Sequence, residues 1–416
     1  MRIRKSEHYD VIVVGGGAGG MMAAGTAAAH GKRVLILEKN KALGRKLSIT
    51  GGGRCNVTNA EEDIHLLLKN YGKAADFLYS PFSQFGVKET LVFFEEHGLP
   101  LVVQARKRAF PHTEKATDVC KMFERYLNDG NVERKMDCRV KRLQRKDNRI
   151  TGVETSRGTF MAESYILATG GISHKETGSS GDGFTWLKDL GHTVAPATPT
   201  IVPLAVADSW IKMLAGVSLS FMKITFFVDG KKAFKEIGKV LFTHFGLSGP
   251  LILNCAGKVG DLLLAGEVTA QIDAYPHTNL GALDDSIVKV FNVNKNKTLR
   301  TVFKDITPHG TSKAVETLLS SINFETKVHS ITKEERKKIT HLLKALPVRI
   351  TGLMGFDRAV IADGGIELME VDTKTMRSKR FENLYVTGDL LHINRPSGGF
   401  SLQLCWTTGY VAGNSI

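Results

Sequence analysis

The sequence predicts an α/β protein built on a Rossmann-like, dinucleotide-binding sheet, and three observations predict it. The first is a strand, Asp10-Val-Ile-Val-Val14, that runs into Gly15-Gly-Gly-Ala-Gly-Gly20 and an Ala-rich helix reaching about His30. The second is an acid, Glu38, closing the next apolar strand, Arg33-Val-Leu-Ile-Leu-Glu38, about 20 residues past the turn. The third is the return of the strand-then-glycine pattern at Ser164-Tyr-Ile-Leu-Ala-Thr-Gly-Gly171 and at Phe381-Glu-Asn-Leu-Tyr-Val-Thr-Gly-Asp389.

Each part of the first motif has a physical task. Gly15 permits a tight turn out of the strand, Gly17 lets the backbone approach a pyrophosphate, and Gly20 lets the helix pack on the strand. Ala18 and Gly19 fall in the first helical turn, whose free N–H groups and dipole favour an anion. Glu38 can accept both hydroxyls of a ribose and repels a 2′-phosphate, so the ADP half is expected to be unphosphorylated. Lys39 follows at the same edge, where a solvated cation is the bland reading.

The composition narrows the classes. With 416 residues and 42% apolar residues, two or three domains with large cores are expected. No basic leader with an apolar core opens the chain and no apolar run has membrane-spanning length, so a cytoplasmic protein without a membrane partner is expected. Five scattered cysteines without a CxxC pair argue against a disulfide framework, a zinc site and a dithiol centre; no metal is expected. The formal charge of +14 could attract RNA, anionic lipid or acidic metabolites. The lysines form no long block, however, so a solvated basic surface is expected and nucleic acid is not favoured as a partner.

Further along, helices are predicted over 86–97 and 115–128, with Cys120 on the apolar side of the second. A strand is expected at Leu101–Val103 and a turn at Arg108-Ala-Phe-Pro111. Between 137 and 168 the period changes to two, as in a small meander that returns to the main sheet. Gly178–Gly183 opens another helix, with Asp182 a cap or ligand contact. Prolines 196, 199 and 203 mark a boundary. From Thr200 to about Tyr275 the pattern is strand-like, broken once at Leu241–Pro250, and 280–345 reads as charged and helical.

Three separated segments, 15–56, 168–171 and 388–401, are built for close backbone approach to a ligand. A simple NAD site needs mainly the first, whereas an extended FAD needs more. Asp389 after Gly388 suits the ribitol hydroxyls. Gly398-Gly-Phe-Ser401, with Gly399 and Phe400 at a helix start, would present N–H groups to the flavin N1/O2 edge. Ala168, Thr169 and Gly170 form the intermediate turn.

Here the chain resembles a known family. Gly44-Arg-Lys-Leu47, Gly53-Arg-Cys-Asn-Val-Thr-Asn59, Phe242-Thr-His-Phe-Gly-Leu-Ser-Gly-Pro250 and Lys374-Thr-Met-Arg-Ser-Lys379 look like segments of bacterial NAD(P)/FAD-dependent oxidoreductase flavoproteins. That group includes proteins similar to aminoacetone oxidases and to a bile-acid dehydroxylation flavoprotein. The resemblance implies a two-dinucleotide-binding-type FAD domain (1–195 and 353–416), an inserted β-barrel-like domain (196–277 and 345–352) and a helical subdomain (278–344). It departs where Gly388-Asp389 is followed by Leu-Leu-His-Ile-Asn-Arg-Pro396, since the family commonly has Gly-Glu there with an Asp soon after.

The resemblance also implies site roles. Arg45, Lys46 and Ser48 should lie along the pyrophosphate, and Val140 should offer its backbone to the adenine. Gly51, Gly52, Gly53, Arg54, Cys55 and Asn56 should curl past flavin N5, where side chains would obstruct hydride transfer. Arg54, Asn56 and His244 are the catalytic candidates, with His112 a further acid–base group. For Arg54 the plainer alternative is a structural salt bridge, for Cys55 a small buried hydrophobe, and for each histidine a structural role. The expected activity is hydride transfer between flavin N5 and a small amine, carbonyl or unsaturated substrate. With no second GxGxxG, NAD(P)H would act as a transient donor. A flavin-dependent tRNA-modifying enzyme and a non-catalytic flavin sensor are the alternatives.

Overall fold

The computed structural model describes residues 8–359 and 361–416, which fall in two compact units, Met1–Thr198 with Val360–Ile416, and Pro199–Ala359. The first unit carries the α/β sheet. Its parallel core runs Glu133–Lys135, Val34–Leu37, His8–Val14, then the last residues of Gly158–Leu167, with Leu384–Val386 on the far side. The register sets Val14 against both Leu37 and Leu167, and Leu167 against Val386. Every residue of Val34–Leu37 and Leu384–Val386 is buried, as strands covered on both faces require.

Strand Gly158–Leu167 changes partner halfway. Its first residues pair antiparallel with Arg149–Thr155, which pairs with Val140–Lys146 to complete the meander. Its later residues run parallel to His8–Val14. The sequence shows the switch: the alternating exposure of Gly158–Ser164 gives way to fully buried Tyr165-Ile-Leu167.

The C-terminal helix Phe400–Asn414 packs on the Ala-rich helix Ala18–Ala29, so both chain ends meet over one turn. Small residues permit the approach. A Cβ on Gly409 would stand 2.5 Å from the Gly19 carbonyl oxygen, and one on Gly413 would stand 2.4 Å from that of Ala23.

Elsewhere in this unit, a polar network joins His192 to the Lys374–Lys379 segment. His192 Nδ1 lies 2.5 Å from Glu370 Oε2, and Ser378 Oγ lies 3.0 Å from His192 Nε2. Arg380 and the Thr193 backbone also donate to Glu370. Burial keeps His192 below its ordinary value, against the pull of Glu370. Burial alone would raise Glu370, but donation from His192, Thr193 and Arg380 outweighs it and brings the carboxyl down to about 2. Both shifts act in the same sense: stability is present at neutral pH and is lost as pH falls through these lowered values. Acid unfolding of the parent should therefore be steeper between about pH 6.5 and 2 than that of a His192→Gln, Glu370→Gln variant. Denaturant titrations at several pH values would check this, and parallel profiles would refute it.

The second unit holds a closed six-stranded barrel. Around it run Leu204–Val206, Gly246–Ser248, Lys231–Thr243, Ser218–Val228, Val268–Asp273 and Leu346–Leu353, which closes on the first. Helices Leu280–Val293, Leu299–Ile306, Ser312–Glu316 and Lys333–Lys344 share one apolar core with the barrel, Ile287 and Phe303 joining Ile224 and Phe226.

Two local expectations need correction. Arg108–Pro111 is a strand, not a turn, because Leu101–Gln104 and Thr58–Asn59 flank it and supply its hydrogen bonds. Pro250–Ala265, inside the strand-like region, is a helix that starts with proline at its first position and buries Leu251, Ile252, Cys255, Ala256 and Val259. Among the described residues no helix is long and apolar enough to cross a membrane.

Candidate functional site

A cleft runs through the first unit along the C-terminal ends of the parallel strands, the position in which an open α/β sheet binds ligands. It encloses about 1230 Å³ of space, including solvent at its mouth. Gly15, Gly17, Ala18 and Gly19 form its floor; Ala168, Thr169 and Gly170 adjoin them from the neighbouring strand. Gly15 has φ +105°, and a Cβ there would stand 2.5 Å from the Ala168 carbonyl oxygen. Gly20 lies beneath the floor, where a Cβ would meet Gly15 O at 1.9 Å. Gly17 differs: nothing lies within 4 Å of an added Cβ.

Glu38 closes one end, only 7% exposed. Its Oε2 accepts from Gly16 N at 2.7 Å, and its Oε1 accepts from both the backbone N and Nδ2 of Asn40 at 2.8 Å. These bonds fix the carboxylate plane beside the glycine turn. Lys39 also lines this end and is not a free solvated cation: its Nζ pairs with Asp182 Oδ2 at 3.0 Å and donates to Ser180 Oγ. Asp182 is a cleft residue in the first turn of Asp182–Asp189, not a helix cap. Burial would raise its pKa, but Lys39, Ser180 and Arg139 together hold it below the ordinary value. Val140, Arg139 and Trp186 complete the wall.

At the other end stand Gly388, Asp389 and Ser401. Asp389 is paired with Lys46 Nζ at 3.6 Å and with Arg395 Nη2. Lys46 also donates to Ser173 Oγ at 2.7 Å. Arg395 is 3% exposed; its Nη1 donates to the Ile393 carbonyl at 2.6 Å and its Nε to Ser401 Oγ at 3.1 Å. Burial works against the Asp389 anion, and the two cations outweigh it, so the carboxyl stays below the ordinary range. Arg395 escaped the sequence reading. Its one signal is its place, an arginine six residues after Asp389 in a run without Lys, Asp or Glu.

The segment 48–56 is arranged differently from the rest. Arg45 and Lys46 line the cleft, but Ser48 does not; its hydroxyl donates back to the Arg45 carbonyl at 2.9 Å. Gly51, Gly52 and Gly53 are exposed and have φ of +59°, +68° and +86°. Arg54 is tied elsewhere: Nη2 pairs with Glu114 and donates to Gln104 Oε1 at 2.8 Å, and the guanidinium lies 4.3 Å from the Phe110 ring centre. Its structural ion pair is thus present. Cys55 is buried, and burial pushes its thiol up to about 12, so it is a core side chain and not an exposed thiol. Arg54 Nε and Asn56 Oδ1 are buried with no hydrogen-bond partner.

Gly398, Gly399 and Phe400 stand at the start of the C-terminal helix, outside the cleft wall. Gly399 is tight against Thr58, 2.2 Å from its carbonyl carbon to an added Cβ, while Phe400 packs edge-on against Tyr71. His112 is exposed, with Nδ1 at 3.4 Å from the Pro100 carbonyl. His244 lies in the second unit, exposed in the turn between Lys231–Thr243 and Gly246–Ser248.

A glycine-floored cleft with an acid at either end, on this sheet, defines a Rossmann-type protein with the fold of flavin-dependent oxidoreductases. The chain belongs to the HI0933-like family, whose Rossmann-domain model matches residues 9–415. It is 29% identical over 390 residues to a 3-dehydro-bile acid delta(4,6)-reductase of Clostridium scindens, covering 92% of each chain. It is 25% identical over 415 residues to a ribosomal RNA dihydrouridine synthase of Escherichia coli, covering 99% of this chain and 98% of that one. Among solved structures, 3-ketosteroid-delta4-(5alpha)-dehydrogenase from Rhodococcus jostii RHA1 shares the fold, with TM-score 0.55, 15% identity, and 99% and 98% of the two chains covered.

Proposed function

We propose that the chain is an FAD-dependent reductase acting on a carbon–carbon double bond conjugated with a carbonyl. One observation carries the cofactor assignment: the floor at Gly17 is open to an approaching group, whereas Gly15 and Gly20 are closed by their own backbone. Space at that one glycine, at a helix N-terminus, suits a pyrophosphate. Glu38 would hold the ribose, the Val140 backbone the adenine, and Asp389 the ribitol. Lys39, Arg45 and Lys46 would balance the phosphate charge. FAD, when bound, supplies hydride exchange at flavin N5.

Around the flavin end, Gly51–Gly53 leave the backbone bare for a substrate. Arg54 and Asn56 each keep one buried polar atom free of a hydrogen-bond partner, and we assign these two side chains to substrate binding. The relatives' names support the substrate class. Reduction of a 3-oxo steroid acid at positions 4 and 6, and formation of dihydrouridine, both saturate a bond polarised by a carbonyl. NAD(P)H would be a transient donor.

The test is anaerobic. The purified protein should lose its flavin absorbance with NADH or NADPH and recover it when a conjugated enone is added. Reduction by an amine, with no response to any enone, would contradict the proposal.

A second reading makes that double bond the one in uridine within RNA. The charge of +14 and the relatives named as ribosomal RNA dihydrouridine synthases favour it. It predicts that RNA incubated with the protein and NAD(P)H gains dihydrouridine, read by mass spectrometry of nucleosides; unchanged uridine removes this reading.

A further inference from the structure

The barrel carries one residue whose backbone conformation its own chemistry does not favour. Phe221, in strand Ser218–Val228, has φ +60°, a left-handed conformation rare for a bulky residue. It sits where the register against Lys231–Thr243 shifts, between Leu219 and Met222. Such a bulge re-aims a side chain, and here Leu219 and Met222 point to the core while Phe221 is 65% exposed. A strained backbone that puts an aromatic ring into water gains nothing for the core.

The ring does not stand alone. Ile224, Phe226, Val240 and Phe242 face the barrel interior, so the alternate residues of both strands face out. That outer face of the hairpin presents Lys235, Ile237 and Lys239, all exposed. Among the described residues no carboxylate pairs with Lys235 or Lys239. Across the adjoining strands Val268–Asp273 and Leu346–Leu353, the same face continues with exposed Gln271 and Arg349. The acid that also faces this side, Asp273, is buried and neutralised by Lys223 and Lys344, each at 2.8 Å.

We propose that this outer sheet face docks a single-stranded stretch of RNA, with Phe221 stacking on a base and Lys235 and Lys239 tracking the backbone phosphates. An exposed aromatic among unpaired cations on an antiparallel sheet answers both halves of a nucleotide: the ring takes a base, the lysines take phosphate. The inference rests on the RNA reading above and adds the surface that holds the RNA.

The test uses the full-length, FAD-loaded protein and a fluorescein-labelled, uridine-rich single-stranded RNA of about 12 nucleotides. Phe221→Asn keeps the left-handed backbone comfortable and removes the ring, so folding and flavin content should match the parent. Binding by anisotropy should weaken roughly tenfold or more. In Lys235→Gln, Lys239→Gln, the slope of log affinity against log salt should flatten by about 1.4. If the parent binds RNA and both variants bind equally well with an unchanged salt slope, the docking face is wrong while the RNA reading stands. If the parent fails to bind at low salt, both fall together.

Discussion

Gly17→Asp should give a folded protein without flavin. In the structure nothing lies within 4 Å of a Cβ at Gly17, and its φ of −83° suits any residue. Gly17 is also the N-cap of Ala18–Ala29 and has no side chain to cap it; aspartate is among the favoured capping residues. The apoprotein should therefore be as stable as the parent apoprotein, or more stable by a few tenths of a kcal/mol to about 1 kcal/mol. The same carboxylate would stand where the pyrophosphate is proposed, adding both bulk and like charge. Cofactor affinity should fall by at least a hundredfold, and with it the stabilisation of about 3–4 kcal/mol that a saturating ligand confers. Flavin content and melting of the apo forms read the two effects separately. A yellow variant, or one whose apoprotein unfolds early, contradicts the account.

Arg395→Met should be the most destabilising single change at the other end of the cleft. The guanidinium is almost fully buried and pairs with Asp389, Ser401 and the Ile393 carbonyl. Methionine fills similar space but leaves Asp389 with Lys46, 3.6 Å away, as its remaining cation. Breaking a buried pair from one side costs about 3–5 kcal/mol. Neutralising the survivor as well, in Arg395→Met, Asp389→Asn, should recover much of that loss, because the buried carboxylate is gone and the charge that stays, Lys46, is partly exposed and still donates to Ser173. Chemical denaturation of the parent, both single variants and the double variant closes the cycle. Simple additivity would mean that the two side chains do not act as a pair.

The two ends of the cleft were legible to different degrees, for physical reasons. The Gly15–Gly20 turn and Glu38 are local chemistry: a strand, a turn that needs glycine, and an acid one strand away. Their geometry follows almost directly from the chain. Gly388-Asp389 was readable for the same reason. Arg395 was not: Asp389 and Ser401 lie six residues to either side of it, and which polar groups of that short run meet is set by the path of the backbone and not by residue type. Arg54 is a similar case: its ion pair to Glu114 spans a three-stranded sheet whose middle strand, Arg108–Pro111, read as a turn.

Helix Pro250–Ala265 was hidden by a strand-like context and a continuous apolar start, which periodicity alone does not separate from a buried strand. Its signal was nevertheless present: glycine then proline at the first helical position, followed by burial at 251, 252, 255, 256 and 259. The shared core of barrel and helices carries no local signature, since Ile287 and Phe226 come from distant stretches and join one core only through tertiary packing.

On the reading proposed above, one extended dinucleotide, held at Glu38 and at Asp389, joins both ends of the chain. Chromatography of the chromophore released by denaturing the purified protein tests it most directly. FAD, equimolar with the chain, is the expected result. Recovery of FMN, which lacks the adenosine half that Glu38 would hold, or of no flavin after incubation with FAD, would contradict it.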